Sequence, residues 1–153
     1  MEKEKHFIYS DNKFSNEKLN IKLYNESYFE QELALESDAF YEIRKLNDIK
    51  PYKINDSTEI EKDKIRKYFN NNKNNFYLLI ENEKLIGSAL IIDNYIKVMC
   101  IISEYQNKGY GTKLIKYIVN KILEKGYKTV KLDVLPGNNN AEKIYKKLNF
   151  REQ

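Results

Sequence analysis

KVMCIISEYQNKGYGT, residues 97–112, passes from a strand through a tight loop into a helix. Residues 97–102 are β-branched and sulfur-containing with hardly a polar side chain, as in a strand buried on both faces. The loop is Gln106-Asn107-Lys108-Gly109-Tyr110-Gly111. From about Tyr110 the spacing turns helical, with Leu114, Ile115, Ile118, Ile122 and Leu123 on one side. A helix that starts directly after a strand presents several unpaired backbone N–H groups and the positive end of its dipole. Gly109 and Gly111 let the backbone come close to whatever sits there. That construction is an anion cradle, suited to phosphate or pyrophosphate.

Two nucleotide-binding patterns compete for the same glycines. A dinucleotide fingerprint of the G-x-G-x-x-G kind is encouraged by Asp133, which lies roughly 20 residues further on, where that pattern places an acid. Against it, Leu114 stands at the third glycine position, and the loop before Gly109 is too long for the tight turn required. A phosphate-loop NTPase needs G-K-[ST], which is absent.

Outward from this stretch, strands and helices alternate. On the C-terminal side the helix ends at Lys125-Gly126, and residues 129–135 form the next strand. A strand–helix–strand crossover implies that this strand pairs in parallel with residues 97–102. Asn138-Asn139-Asn140 caps a last helix over residues 141–148. On the N-terminal side, residues 76–81 and 85–92 are apolar strands joined as a hairpin by Asn82-Glu83-Lys84, and Asp93-Asn94 is a second turn. Ser27-x-x-Glu30 and Thr58-x-x-Glu61 are capping boxes. The first opens a helix to about Leu46, ahead of Pro51, and the second opens one that ends in residues 70–75. Residues 21–24 form a first core strand and residues 5–9 a short further one. No repeat or linker divides the chain, so residues 1–153 read as a single domain.

Gln106-x-x-Gly109-x-Gly111 after an apolar strand resembles the coenzyme-A signature of the GNAT superfamily of N-acetyltransferases. A second signature follows: Leu132-Asp133-Val134, then Asn138-x-x-Ala141-x-x-x-Tyr145, then Leu148-Asn149-Phe150. The family usually ends that run with Gly-Phe, so Asn149 is a departure. The two motifs span residues 76–150, and the first half of the chain matches in outline. The resemblance implies an α/β (α+β) fold, a mixed sheet of about six strands with helices on both faces. The family normally adds two more strands after the last helix, forming one wall of the acceptor site. Here the sequence stops at Gln153, so those C-terminal strands are expected to be truncated. A bare edge strand invites pairing with other chains. Either residues 5–9 fold back to cover it, or a second protomer supplies a strand; an edge-completing homodimer is the expected assembly.

Acetyl transfer to an amine needs a held thioester, a polarised carbonyl, a deprotonated amine and a proton for the leaving thiolate. In the family, the central strand splays from its parallel neighbour and the pantetheine arm lies in the gap. Carried over by motif, backbone groups of Met99, Cys100 and Ile101 bind that arm and the acetyl carbonyl. Gln106, Asn107, Lys108, Gly109, Tyr110, Gly111 and Thr112 hold the pyrophosphate through main-chain N–H groups, and Lys108 and Lys113 can add charge. Asn138 is a cofactor contact by resemblance and a helix cap by spacing. Tyr145 matches the family tyrosine that protonates the departing thiolate. By spacing alone it belongs to a core stripe with Ala141, Ile144 and Leu148.

The general base is harder to place. Many relatives carry a glutamate near the start of the central strand, where this chain has Tyr95-Ile96-Lys97-Val98. A branch resembling the enzymes that acetylate N-termini of ribosomal proteins puts an acid on the next strand, five residues before the asparagine; here that is Asp133. Asp133 is the candidate base, working through a water, and a strand salt bridge is the rival reading. Asp93 and Glu104 are fallbacks. Cys100 reads as a buried, inert thiol, because nothing near it in sequence would lower its pKa. His6 reads as incidental, in a mobile N-terminus.

Composition agrees with this class. A net charge of +4 favours an anionic ligand such as acetyl-CoA. Lys and Glu are interspersed rather than segregated, which argues against nucleic acid. One cysteine excludes an internal disulfide, and one histidine excludes a zinc cluster, so no metal is expected. No apolar run approaches ~18 residues and the N-terminus lacks a signal-peptide core, so the expected setting is cytoplasmic, away from membranes. Abundant Asn and Lys hint at an AT-rich, bacterial genome. The expected activity is direct attack of a primary amine, on a small molecule or a peptide or protein, on acetyl-CoA. The alternative is an acyl-CoA-binding module with little or no catalysis, motivated by the absent strand carboxylate.

Overall fold

The computed structural model describes residues 4–153; residues 1–3 of the domain read from the sequence lie outside the described residues. Strands are β1 (Lys5–Tyr9), β2 (Ile21–Leu23), β3 (Phe76–Glu81), β4 (Lys84–Ile92), β5 (Tyr95–Ile101), β6 (Val130–Val134) and β7 (Arg151–Glu152). Helices are α1 (Phe29–Leu46), α2 (Glu59–Asn71), α3 (Tyr110–Glu124) and α4 (Asn139–Lys147). The strands form one open sheet of seven, in the order β2-β3-β4-β5-β6-β1-β7. All pairs are antiparallel except β5–β6. The mixed sheet with helices on both faces is as expected, with one strand more than the sequence suggested.

Two apolar layers fix the sheet between the helices. On one face, Leu33 of α1 and Phe69 of α2 pack on Phe76, Leu78 and Leu90. On the other, Leu114, Ile118 and Ile122 of α3 pack on Ile86, Ala89, Ile91 and Leu132. Each set recurs at helical or strand spacing, so burial of these side chains selects both the element and its face.

The local signals hold unevenly. Thr58 Oγ1 accepts a hydrogen bond from the Glu61 N–H at 3.2 Å, as its capping box requires. The Ser27 box does not form. Asn25 Oδ1 takes the Ser27 N–H at 2.9 Å, a single 3-10 turn follows, and α1 opens at Phe29 with no side-chain cap. Asn25 lies one Asx turn upstream and competes successfully for the same donor. The β3–β4 hairpin turns on Asn82 and Glu83, both in the left-handed region (φ 50° and 63°), which matches the twist of the flanking strands.

The edge of β6 is covered from within the chain. β1 lies antiparallel along all of β6, with Lys5 opposite Val134 and Tyr9 opposite Val130. β7, which the sequence reading left out, pairs with the far side of β1. Phe7 and Tyr9 turn inward onto the α3 side, and this apolar alternation sets the register. β1 therefore takes the place that a strand from a second copy would otherwise fill.

The central strand departs from expectation in a useful way. Leu90 pairs with Val98 but Ile91 pairs with Ile96, so Lys97 is an extra, unpaired residue in β5. A bulge of this kind bends a strand and ends pairing nearby. β5 and β6 pair only at Tyr95–Lys131 and Ile96–Leu132, then separate. Lys97 is exposed and Val98 and Met99 are half-buried, so the strand is not sealed on both faces.

Candidate active site

The split between β5 and β6 leaves a row of backbone groups without a strand to pair with. The Ile102 N–H donates to Ile86 O at 2.7 Å, and Cys100 stands opposite Ser88. In an antiparallel ladder the peptide groups alternate in direction. Val98, Cys100 and Ile102 therefore point theirs at β4, while Met99 and Ile101 point theirs into the gap. Gln106 Nε2 covers the Ile101 carbonyl at 2.8 Å. The Met99 N–H and C=O and the Ile101 N–H remain for an extended ligand. Of the three residues read from the motif, Cys100 contributes its position and not its peptide group.

At the open end of the split stands the N-terminus of α3. A 3-10 turn at Ser103–Tyr105 leads in, held by Asp38 Oδ2, which accepts from the Ser103 N–H at 2.7 Å. Asn107 (φ 61°) and Gly109 (φ 90°) both turn left-handed, which folds successive N–H groups toward one concave side. Gly109 caps α3 without a side-chain bond, and the first helical bond runs from the Lys113 N–H to Gly109 O at 3.1 Å. The N–H groups of Tyr110, Gly111 and Thr112 are thereby left over for an anion. A Cβ added at Gly111 would make only ordinary contacts, 3.7 Å from Ile101 Cγ1 and 4.0 Å from Ile144 Cδ1. The bareness of Gly111 thus serves the cradle rather than packing within the protein.

Split and cradle open into one cavity of about 770 Å³. α1 lines it with Ala39, Phe40, Glu42, Ile43 and Leu46 on one face of the sheet. Gln106, Asn107, Gly109, Gly111, Thr112 and Ile115 line it from the other, with Asn138, Ala141, Ile144 and Tyr145 of the α4 region. Met99, Cys100 and Ile101 lie between, so the cavity passes through the sheet where β5 and β6 part. Its size suits a cosubstrate site, for which roughly 300–1,000 Å³ is usual. Lys108 and Tyr110 are not among the lining residues; the Lys108 ammonium lies over the Tyr105 ring, 5.4 Å from its centroid. Asn138 lines the cavity at the N-cap of α4, but its side chain makes no capping bond, so the capping role read from spacing is not realised.

Tyr145 belongs to the core stripe that its spacing suggests and also lines the cavity. Its ring packs between Phe7 and Phe150, with centroids 6.4 and 5.5 Å away, and the residue is 7% exposed. Its hydroxyl makes no side-chain hydrogen bond, yet it is not one of the sealed polar atoms, which among the described residues are Tyr24 Oη, Glu32 Oε1 and Glu36 Oε2. It therefore reaches open space at the cavity. Burial among apolar rings, and next the nearby Cys100, push the phenol above its ordinary range and keep its proton on. Burial also pushes the Cys100 thiol well up, which removes it as a nucleophile.

Asp133 is placed differently. It is exposed between the inward-facing Leu132 and Val134, one residue beyond the last β5–β6 pair, and it does not line the cavity. Its Oδ1 lies 2.6 Å from His6 Nδ1. His6 therefore lies in β1 opposite Asp133, which corrects its placement in a mobile N-terminus. The signal for it lay in Phe7 and Tyr9: once they face inward, His6 must face outward across from Asp133. Glu104 pairs with Lys84, and Asp93 sits in the β4–β5 turn, so neither reaches the cavity.

One feature of α1 went unread. Glu32 and Glu36, one turn apart, are both buried under the sheet. Ser88 Oγ donates to Glu32 Oε2 at 2.7 Å and stands 3.4 Å from Cys100 Sγ. Burial above all, then the proximity of Glu36, raises Glu32 well above the ordinary carboxylate value; burial raises Glu36. The folded chain thus holds protons that the unfolded chain releases near pH 4.5. Stability is fully present below that value and is lost as pH rises through the raised one. Glu32→Gln keeps the shape and removes the charge, so its melting temperature should fall less between pH 5 and pH 8 than that of the unmodified chain. Parallel slopes in a calorimetric pH series would contradict the raised titration of Glu32.

Comparison with known proteins agrees with this geometry. The pattern of the Acetyltransferase (GNAT) family matches residues 22–150. Over 89 residues the chain is 34% identical to the [ribosomal protein bS18]-alanine N-acetyltransferase of Haemophilus influenzae; the match spans 54% of this chain and 60% of that relative. Two solved structures share the fold. One is the ribosomal-protein-S18-alanine N-acetyltransferase of Escherichia coli, with TM-score 0.64 and 18% identity over 89% of this chain and 79% of that one. The other is a predicted acetyltransferase with acetyl-CoA from Clostridium acetobutylicum, with TM-score 0.62 and 19% identity over 89% of this chain and 92% of that one. With the family pattern matched across both helical layers, the cradle and the split, the chain belongs to the Acetyltransferase (GNAT) family.

Proposed function

We propose that the chain transfers an acetyl group from acetyl-CoA to a primary amine by direct attack. The observation that carries this is the pairing of β5 with β6 at two positions only, beside a helix N-terminus whose first-turn N–H groups have no cap. An elongated ligand with an anionic middle fits that combination. The N–H groups of residues 107–112 would hold a pyrophosphate, and the Met99 and Ile101 peptide groups would hold an extended arm like an added strand. Acetyl-CoA supplies the activated acyl group. The Ile101 N–H, already aimed into the gap, can polarise a carbonyl oxygen placed there. Tyr145, kept protonated by its surroundings, delivers a proton to the departing sulfur. The amine approaches over α1 and the open face of β6, where Asp133 stands.

The likeness to a ribosomal-protein-alanine N-acetyltransferase makes a peptide beginning in alanine the first acceptor to try. This reading places the work in the cytoplasm, with no metal or nucleic acid. Among the described residues no helix is long and apolar enough to cross a membrane, and no group of three acidic, Cys or His side chains is placed to hold a metal. The test is free-thiol release from acetyl-CoA with a peptide beginning in alanine, with a polyamine as the second acceptor. Release that depends on the amine is expected. Binding of acetyl-CoA without release for any acceptor would instead favour an acyl-CoA-binding module.

A further inference from the structure

His6 and Asp133 contribute nothing to either apolar layer. They stand on the face of β6 and β1 opposite α3, with side chains 56% and 31% exposed and their near atoms 2.6 Å apart. We propose that His6 is the general base of the transfer and that Asp133 is the residue that positions it. This rests on the acetyl-transfer reading and adds the group that takes the amine proton.

The first argument is location. Ile96 pairs with Leu132, so Asp133 is level with Lys97, where the split begins. Met99, whose peptide group turns into the gap, lies two residues further along, or ~7 Å at ~3.3 Å per residue. The cavity reaches this side of the sheet through Ala39, Phe40 and Ile43 of α1. The His6–Asp133 pair lies outside the cavity's lining; it stands on the open face of β6 beside the start of the split, on the side from which an amine would come in.

The second argument is chemical. An imidazole that gives its Nδ1 hydrogen to a carboxylate keeps a lone pair on Nε2. His6 Nε2 has no hydrogen-bond partner among the described residues. An imidazole titrates close to working pH, where a general base is most effective. The backbone that carries the ring is held by β6 on one side and β7 on the other, with His6 O accepting the Gln153 N–H at 2.8 Å, and the ring itself by Asp133.

The third is electrostatic. The hydrogen bond to Asp133, then the charge of Asp133 and to a smaller degree Glu4, raise His6 above its ordinary value of 6.5. The partial burial of His6 acts in the other direction, and Lys131 of β6 and Arg151 of β7, both opposite Ile8, are the cations that share this face. Lys97 and Lys131 are turned to the Tyr95 ring of β5, 4.5 and 5.9 Å from its centroid.

The step balances within the chain. As the amine nitrogen bonds to the acetyl carbon, one N–H proton passes to His6 Nε2. The carbon–sulfur bond breaks, the sulfur leaves with the bonding pair, and it takes the Tyr145 Oη proton. The imidazolium proton and the tyrosinate are then reset by exchange with solvent.

The experiment is the pH profile of kcat/KM for acetyl-CoA and an alanine-initiated peptide, with melting temperatures and acetyl-CoA affinity measured on the same samples. The unmodified chain should lose rate on the acid side of an apparent pKa above 6.5. His6→Gln can still bond to Asp133; it should run about 100-fold slower at pH 8 and keep only the acid limb of the peptide's own α-amine, with acetyl-CoA affinity unchanged. Asp133→Asn should move the limb to lower pH. Exogenous imidazole should restore rate to His6→Gly. A His6→Gln variant that keeps both limb and rate overturns the base and leaves the transfer reading standing. An unmodified chain that binds acetyl-CoA but acetylates no amine overturns both.

Discussion

Gly111→Asp is expected to weaken acetyl-CoA binding by at least ~100-fold, which is about 2.7 kcal/mol, without lowering the melting temperature. The two effects have different causes. Gly111 lies in the first turn of α3 with helical backbone, and a Cβ there meets nothing closer than 3.7 Å. A carboxylate in a first helical turn favours the helix by about 0.3–1 kcal/mol, and removing a helical glycine adds to that. The same carboxylate would sit among the N–H groups that form the cradle. Two like charges 4 Å apart near a protein surface repel by about 4 kcal/mol, and the carboxylate would also consume donors meant for the ligand. Titration calorimetry and thermal unfolding of one sample separate the two. Gly111→Ala, which adds volume without charge, should fall between. A variant that binds acetyl-CoA as the unmodified chain does would mean that the anion lies elsewhere.

Tyr145→Phe is expected to lower turnover at least ~10-fold, within the range that a positioned acid contributes, with acetyl-CoA affinity and melting temperature almost unchanged. The ring keeps its contacts with Phe7 and Phe150, and the lost hydroxyl has no side-chain partner to orphan. A residue that only fills the core would show the reverse pattern, unaltered turnover with some change in stability. Because burial raises this phenol above its ordinary range, its loss should not remove an alkaline limb from the pH profile between pH 7 and pH 9. Steady-state kinetics with saturating acetyl-CoA decides between the two patterns.

What could be read along the chain was what short spans determine. Residues 97–112 carry strand, loop and helix start in their own chemistry, and Gln106, Asn107, Gly109, Gly111 and Thr112 line the cavity. Thr58 reads correctly because its capping partner is three residues away. Ser27 misleads because Asn25 offers an equivalent oxygen to the same donor. The split itself was visible only through resemblance: it depends on Lys97 having no partner on β4, a matter of register between strands. His6 and Asp133 are 127 positions apart, and only the return of β1 onto β6 joins them. Glu32 and Glu36 carry no sign of burial in their own residue types; α1 buries them because Leu33 and Phe29 set which of its faces meets the sheet.

The β1 arrangement also bears on the acceptor side. On the proposed reading, the N-terminal strand, which pairs with β6, would form that wall and bring His6 to it. On the same reading, specificity for the amine would depend on His6 and Lys131, on Arg151 of β7, and on α1.

The central claim is that the split and the α3 cradle together hold acetyl-CoA, and thermal unfolding in parallel with acetyl-CoA, CoA, NAD and ATP tests it most directly. A ligand at 100 times its dissociation constant adds about 2.7 kcal/mol, worth roughly 5–10 °C for a domain of this size. A rise of that order with acetyl-CoA and CoA, and none with NAD, is the expected result. A rise with NAD alone, or no rise with any of the four, would contradict it.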